Sequence, residues 1–195
     1  SIILPDNLTQ IGEYTFCGCQ ALSSIDLPSN LKHIGDRTFA GCKALDSITL
    51  PYSITKIGSR AFYCCISLIA IILPSDIVSV GEYAFESCLL LKAVTLPLNI
   101  RRIEKGTFES CISLTLITLP HKIESIELHA FNICKGLKYV TFPPSIRSIE
   151  QWSFQNCFSL YSVTVPVNVK CEYHSFDRAI TEIIYSTILL FTDTR

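Results

Sequence analysis

The sequence contains no methionine, so its initiator has been removed or lies upstream. Ser1 opens directly into apolar residues without a basic-then-apolar leader, and the chain is therefore expected to be a fragment of a longer protein. A long apolar run is missing too. The most nearly apolar stretch, Ile180 to Phe191, contains Thr181, Glu182, Ser186 and Thr187, and falls short of the roughly 20 residues a membrane-spanning helix needs. Charge is scarce, at 17% of residues, and balanced, with 16 Lys+Arg against 17 Asp+Glu. Such a chain has no net field to steer it toward nucleic acid or an anionic bilayer. What it has in quantity is apolar surface: 49% of its residues are hydrophobic, which excludes intrinsic disorder and suits a single core.

Internal self-similarity decides how that apolar surface is used. Proline recurs at Pro5, Pro28, Pro51, Pro74, Pro97, Pro120, Pro143 and Pro166, always 23 residues apart. Phenylalanine keeps the same period at Phe16, Phe39, Phe62, Phe85, Phe108, Phe131 and Phe154, and cysteine at Cys19, Cys42, Cys65, Cys88, Cys111, Cys134 and Cys157. The unit starting at Leu22 reads L-x-x-I-x-L-P-x-x-L-x-x-I-G-x-x-T-F-x-x-C, with Leu22, Ile25, Leu27, Leu31, Ile34, Phe39 and Cys42 pointing inward. Residues Ser24 to Pro28 alternate in and out, which predicts one short strand per repeat, ended by a proline that cannot donate to a ladder. Leu31 and Ile34, three apart, predict an extended or irregular corner, after which Asp36 is expected to cap a helical turn. Phe39 and Cys42 would share the inner face of that turn. One unit cannot close its own apolar face, whereas stacked units bury a continuous core, so a solenoid follows. Eight strands stacked at about 4.8 Å would form a parallel sheet roughly 34 Å long.

The pattern L-x-x-I-x-L-P, then I-G, then A/T-F-x-x-C, seen at Leu68 to Pro74, Ile57-Gly58 and Ala61-Phe62-Tyr63-Cys64-Cys65, resembles the leucine-rich repeats of the BspA-like family. That family is found in surface proteins of mucosal bacteria and parasitic protists. The resemblance covers nearly the whole chain. It implies an α/β repeat solenoid with a parallel sheet on the concave face and short helical turns or irregular segments on the convex side. It also implies adhesion or recognition without a shared catalytic motif. The glycine column Gly12, Gly35, Gly58, Gly81 gives way to Glu104, Glu127 and Glu150, so the corner is not expected to require positive φ. Residues 1–166 form the regular solenoid, and 167–195, where Phe176 comes one residue early and Ile180-x-x-Ile183-x-Tyr185 looks like a degenerate strand, are expected to form the final repeat and C-terminal cap. The first repeat, with Ile2 and Leu4 already at strand positions, has no such cap.

Ten cysteines in 195 residues invite a disulfide framework, but such frameworks staple domains too small to build a core. The seven column cysteines, Cys19 to Cys157, also stand one rung apart, farther than the roughly 3.8 Å between Cβ atoms that a disulfide prefers. They are expected to form a buried ladder of free thiols, filling the place where many leucine-rich repeats put a loop-bonding Asn. Cys17 and Cys64 fall on the exposed turn, where any redox role would lie, and Cys171 replaces an inward aliphatic residue. No catalytic or metal pattern emerges. His33, His121, His129 and His174 occupy different repeat positions, and Cys17-Gly18-Cys19 and Cys171-Glu172-Tyr173-His174 read as structural. No metal, cofactor or catalytic residue is predicted. Asn7-Leu8-Thr9 is the one N-glycosylation sequon.

Function is therefore sought on the outward columns of the strands. These are Ser24, Ser47, Ala70, Ala93, Leu116, Tyr139, Ser162 and Asp26, Thr49, Ile72, Thr95, Thr118, Thr141, Thr164. The threonine run is explained by β-branched stacking. Ile69, Lys92, Lys138 and Tyr161 flank the strands, and with Ile72, Leu116 and Tyr139 they give the mixture of apolar, aromatic and basic side chains typical of recognition surfaces. The candidate ligand-binding residues are Ile72, Lys92, Leu116, Lys138, Tyr139 and Tyr161. On the turn side, Tyr14, Arg37, Arg60, Tyr83, Gly106, His129 and Trp152 predict a cation–π stack that stabilises locally. The leading reading is a non-enzymatic module of a secreted or cell-surface protein, binding a protein partner on its strand face. The alternative is a targeting or regulatory domain of a larger intracellular protein, which the unpaired cysteines would suit.

Overall fold

The computed structural model of the chain describes residues 2–177 and the main chain of 182–186. Its strands, in order, are β1 (Gln10–Ile11), β2 (His33–Ile34), β3 (Lys56–Ile57), β4 (Ala70–Ile72), β5 (Ser79–Val80), β6 (Ala93–Thr95), β7 (Arg102–Ile103), β8 (Leu116–Thr118), β9 (Ser125–Ile126), β10 (Tyr139–Thr141), β11 (Ser148–Ile149), β12 (Ser162–Pro166), β13 (Lys170–Cys171) and β14 (Glu182–Ser186). All pairings are parallel, and each joins equivalent positions of successive coils, as in His33 with Lys56 and Leu116 with Tyr139. The result is a leucine-rich repeat solenoid of about seven turns.

From β4 onward each coil carries two strands where the sequence predicts one, and the first three coils carry only the corner strand. The corner Leu31-x-x-Ile34 shows how the unpredicted strand arises: His33 faces out, Ile34 faces the core, and their main chains pair with the next coil. These two-residue strands build β1-β2-β3-β5 and β13-β11-β9-β7. The strand face proper holds β4-β6 and β14-β12-β10-β8 instead of one unbroken eight-stranded sheet. Segments 24–28 and 47–51 alternate as expected but are not paired as strands.

The expected helical turns are absent among the described residues. Phe39 and Cys42 do share an inner face, but through successive tight turns, with the Cys42 N–H donating to the Phe39 carbonyl three residues back. Alternate amides turn outward to the neighbouring coil, as Tyr14, Phe16 and Gly18 donate to Asp36, Thr38 and Ala40. That lateral bonding needs a left-handed residue at two points per coil, and helical φ cannot continue through them. Arg37 at φ 52° and Gly41 at φ 73° are one such pair, Arg60 at 53° and Cys64 at 55° the next. Asp36 accordingly caps no helix; its carboxylate accepts the Ser59 N–H of the following coil at 2.8 Å.

The core is a set of side-chain columns. Phe16 to Phe154 stack in sequence with ring centroids 5.1 to 5.5 Å apart and planes within 16° of parallel. Beside them each buried cysteine donates its S–H to the carbonyl of a phenylalanine 26 residues back, Cys42 to Phe16 and so on to Cys157 and Phe131, at 3.1 to 3.2 Å. The glycine column is explained by close approach. A Cβ on Gly35 or Gly81 would lie 2.8 and 2.5 Å from main-chain nitrogens of the preceding coil, and neither has positive φ. At the far end the repeat shortens: Ser148 pairs with Lys170 and Phe154 with Phe176, one residue short of the regular period. β14 then pairs with β12, so that Ile183 and Tyr185 of the degenerate unit lie on a strand. Residues 178–181 and 187–195 of the expected cap, including Ile180, lie outside the described residues.

Candidate functional site

The strand face is built by alternation. In β4, β6, β8 and β10 the middle residue is buried and its neighbours are exposed, so Ile71, Val94, Ile117 and Val140 anchor the coil while the flanking side chains meet solvent. Parallel register then stacks like positions, placing Tyr139 directly over Leu116 and Ile72 beside Thr95. All six predicted contact residues are exposed, with Ile72 at 70% and Tyr139 at 68%.

The break between β6 and β8 sorts them into two groups. Leu116, Tyr139, Lys138 and Tyr161 belong to the coils of β8, β10 and β12, and a shallow hollow of about 330 Å³ opens beside Tyr139 where β10 and β12 are joined in register at Thr141 and Thr164. Ile72 and Lys92 belong to the coils of β4 and β6. A second hollow of about 380 Å³ lies between coils there, lined by Thr49, Pro51, Tyr52, Ile72 and Pro74. Tyr52 is 87% exposed and was not among the predicted residues. It follows the proline that ends the strand pattern, outside the alternating columns, and its signal was an aromatic residue where the other repeats carry Asp, Ser, Leu, His, Pro or Val.

The turn side carries the predicted cation–aromatic column, with an added feature: every member from Tyr14 to Trp152 has positive φ. The Arg37 and Arg60 guanidinium groups sit 5.4 and 4.6 Å from the Tyr14 and Tyr83 ring centres, and His129 stacks on Trp152 at 5.1 Å. Gly106 leaves the space that the Tyr83 ring occupies. These side chains are engaged with one another, which suits local stabilisation.

All ten cysteines are free. Six of the seven ladder members are buried, whereas Cys19, in the first coil, is exposed, since no coil of this sequence stacks outside it. Burial pushes the Cys42 thiol up to about 11 and the Cys157 thiol to about 12, and drives Cys88 and Cys134 well above the ordinary range. Held protonated, these thiols are donors and not nucleophiles. Cys17 is exposed, as expected from the turn, whereas Cys64, expected to be exposed there too, is half-buried. Among the described residues no group of three or more His, Cys, Asp or Glu side chains is placed to hold a metal ion. No described helix is long and apolar enough to cross a membrane.

Comparison with known proteins agrees with this architecture. The model of the BspA type leucine rich repeat region matches residues 1–114 and 55–184 in six copies. A leucine-rich repeat protein from Bacteroides ovatus is similar over 95% of this chain and 55% of its own, at 27% identity and a TM-score of 0.82. The T. pallidum leucine rich repeat protein is similar over 80% of this chain and 76% of its own, at 30% identity and a TM-score of 0.75. A leucine rich cell surface protein from Faecalibacterium prausnitzii is similar over 93% of this chain and 52% of its own, at 26% identity and a TM-score of 0.61. The chain thus spans about half the length of the Bacteroides and Faecalibacterium proteins. No curated protein matches it. With the repeat columns, the coil geometry and the family model in agreement over most of its length, the chain belongs to the BspA-type leucine-rich repeat family.

Proposed function

We propose that this chain is a non-enzymatic protein-binding module of a surface protein and that it presents its strand face to a protein partner. The observation that carries the reading is the exposure of large apolar and aromatic side chains, Ile72, Leu116, Tyr139 and Tyr161, on a ladder whose inner faces are fixed by the core. Exposed aromatic residues on a rigid surface bury area at little entropic cost, and Lys92 and Lys138 beside them would orient an approaching partner. The Faecalibacterium relative, a cell surface protein by name, supports placement at the surface. Free cysteines would ordinarily favour an intracellular domain, but burial of six of them as protonated donors leaves them inert in either setting.

The test is binding of the purified module to a panel of immobilised matrix and serum proteins. Tyr139→Ala/Leu116→Ser is expected to weaken binding at least tenfold, while the turn-side control Arg37→Ala/Tyr83→Ala leaves it unchanged. Loss in the turn-side variant alone, with both proteins folded, would place recognition on the opposite surface.

A further inference from the structure

Acidic residues are missing from one surface of the middle coils. Segments 66–75, 89–98, 112–121, 135–144 and 158–167 each run from the rim just after the cysteine column through β4, β6, β8, β10 or β12, and none contains Asp or Glu, although the chain holds 17. The same segments carry Lys92, Lys135 and Lys138, all exposed. Strand propensity does not explain the sign, because lysine is disfavoured in strands much as glutamate is. Nor does the fold. Asp46 stands in the column of Lys92 and Lys138, and Asp26 in the column of Ile72 and Thr95, so a coil accepts a carboxylate at either position. Acidic residues return at the margins, with Asp46 in the preceding coil, Asp76 just past Pro74, Glu182 on β14, and Glu86 and Glu109 on the turns.

The lysines are fixed in place but not neutralised. The Lys92 N–H donates to the Ile69 carbonyl at 2.8 Å and the Lys138 N–H to the Thr115 carbonyl at 3.0 Å. Both therefore stand in one column, two rungs or about 10 Å apart. Among the described residues the ion pairs are Arg101–Glu124 and Lys170–Glu172, and neither involves these lysines. A carboxylate placed midway lies within one Debye length of both, about 8 Å at physiological salt. Around them Ile69, Leu90, Ile112 and Phe158 are exposed on the rim, and Leu116 and Tyr139 on the strands. Opposite charge would orient a partner and the apolar contacts would bury area. A bilayer fits this surface poorly: the Thr95, Thr118, Thr141 and Thr164 side chains stand exposed on the same strands, and their hydroxyls would lose water to hydrocarbon without gaining a partner, whereas a protein supplies one.

We infer that the strand face and rim from β4 to β12 bind an acidic segment of a protein partner, whose apolar anchor packs on Leu116 and Tyr139 and whose carboxylates reach Lys92, Lys135 and Lys138. The inference rests on the strand-face reading above and gives that partner its charge.

The experiment selects a phage-displayed library of random peptides on the purified module and uses the most enriched peptide, made synthetically, as the probe. Enriched sequences are expected to be net acidic with an aromatic or aliphatic anchor. Affinity should fall at least about tenfold in Lys92→Glu/Lys138→Glu, mainly through slower association, and less in Lys92→Gln/Lys138→Gln. It should also weaken as salt rises from about 0.05 to about 0.5 M. These lysines are exposed, and an unchanged Tm would show that each variant is folded. A neutral or basic consensus, no enrichment, or affinity untouched by the charge reversal overturns the inference. So does sedimentation of the module with phosphatidylserine-containing vesicles that the charge reversal abolishes, because lipid headgroups would then own the surface, and so does self-association that the reversal dissolves. If the probe is lost with Tyr139→Ala/Leu116→Ser but kept by the charge-reversed protein, the acidic partner fails and the strand-face function stands. Loss only in the turn-side variant defeats both.

Discussion

Replacing Phe85 by alanine tests whether stability resides in the stacking of coils. Phe85 is fully buried, with ring centroids of Phe62 and Phe108 at 5.3 and 5.5 Å on either side. Truncating a buried phenylalanine costs about 3–5 kcal/mol through lost transfer energy and the cavity left behind, and each lost ring–ring contact adds about 0.5–1.5 kcal/mol. The site cannot collapse to recover this, because the Phe85 N–H is bonded to Thr107 and its carbonyl accepts the Cys111 thiol, which pins the coil from one side. The expected cost is thus about 5 kcal/mol, against a total stability of about 5–15 kcal/mol for a domain. In a linear array each interface counts separately. Phe16, 9% exposed and stacked on Phe39 alone, should therefore lose about half as much as Phe85 when truncated. Urea titration would measure both variants beside Thr95→Ala, whose exposed side chain should cost within about 0.5 kcal/mol. At about 2–4 °C per kcal/mol for a chain of this size, Phe85→Ala should lower Tm by roughly 10–20 °C. Equal costs for Phe16→Ala and Phe85→Ala would refute the neighbour-by-neighbour account. A Thr95→Ala cost as large as that of Phe85→Ala would mean that the inner and outer faces have been exchanged.

Thiol titration of the native protein should label Cys17 and Cys19 first and Cys64 more slowly, leaving Cys42, Cys65, Cys88, Cys111, Cys134 and Cys157 to react only after denaturation and without reductant; three or more disulfides by intact mass would contradict this. Gly81→Ala places a Cβ 2.5 Å from the Ser59 main-chain nitrogen and should cost about 1–3 kcal/mol, whereas Gly12→Ala meets nothing nearer than the Thr15 hydroxyl at 3.7 Å and should be close to neutral. Glu150 is held above the ordinary carboxylate range, first by burial and then by its hydrogen bond and charge contact with Glu127. The folded state thus keeps this proton after the unfolded state has released it, so the contribution of Glu150 to stability is most favourable at acid pH and is lost as pH rises from the unfolded value through the raised folded one. Glu150→Gln, which retains an acceptor for the Leu128 N–H, should flatten that fall and raise Tm near neutral pH.

What was legible in the sequence was whatever repeats with a chemical reason common to every coil. Proline, phenylalanine and cysteine columns gave the period, the inner face and the free thiols, because these residues stack on copies of themselves. The convex turns were misread as helical because a spacing of three between Phe39 and Cys42 serves consecutive tight turns as well as a helix. The feature that separates the two, left-handed φ, is carried by Tyr14, Arg37, Arg60, Tyr83, His129 and Trp152, residues that do not announce it as glycine or asparagine would. The corner strand of each coil escaped because two residues are too few to alternate. The openings in the strand face escaped because segments 24–28 and 47–51 have the same pattern as the paired strands, and whether adjacent backbones close on each other is a property of the stack.

The same reasoning sorts structure from function on the exposed face. A position that holds one residue type through most coils, like the threonine series Thr49, Thr95, Thr118, Thr141 and Thr164, satisfies a requirement every coil shares, which is packing against its neighbours. A partner, by contrast, meets each coil once, and its contacts have no reason to repeat. Recognition should therefore fall where a column breaks its own rule while the fold is undisturbed. Ile72 interrupts the threonine series, Leu116 and Tyr139 stand among serine and alanine, and Tyr52 is the one tyrosine at the position after proline. All four are exposed, and all four lie on the strand face. The cysteine and phenylalanine columns break no such rule, which is why their burial explains stability and says nothing about a ligand.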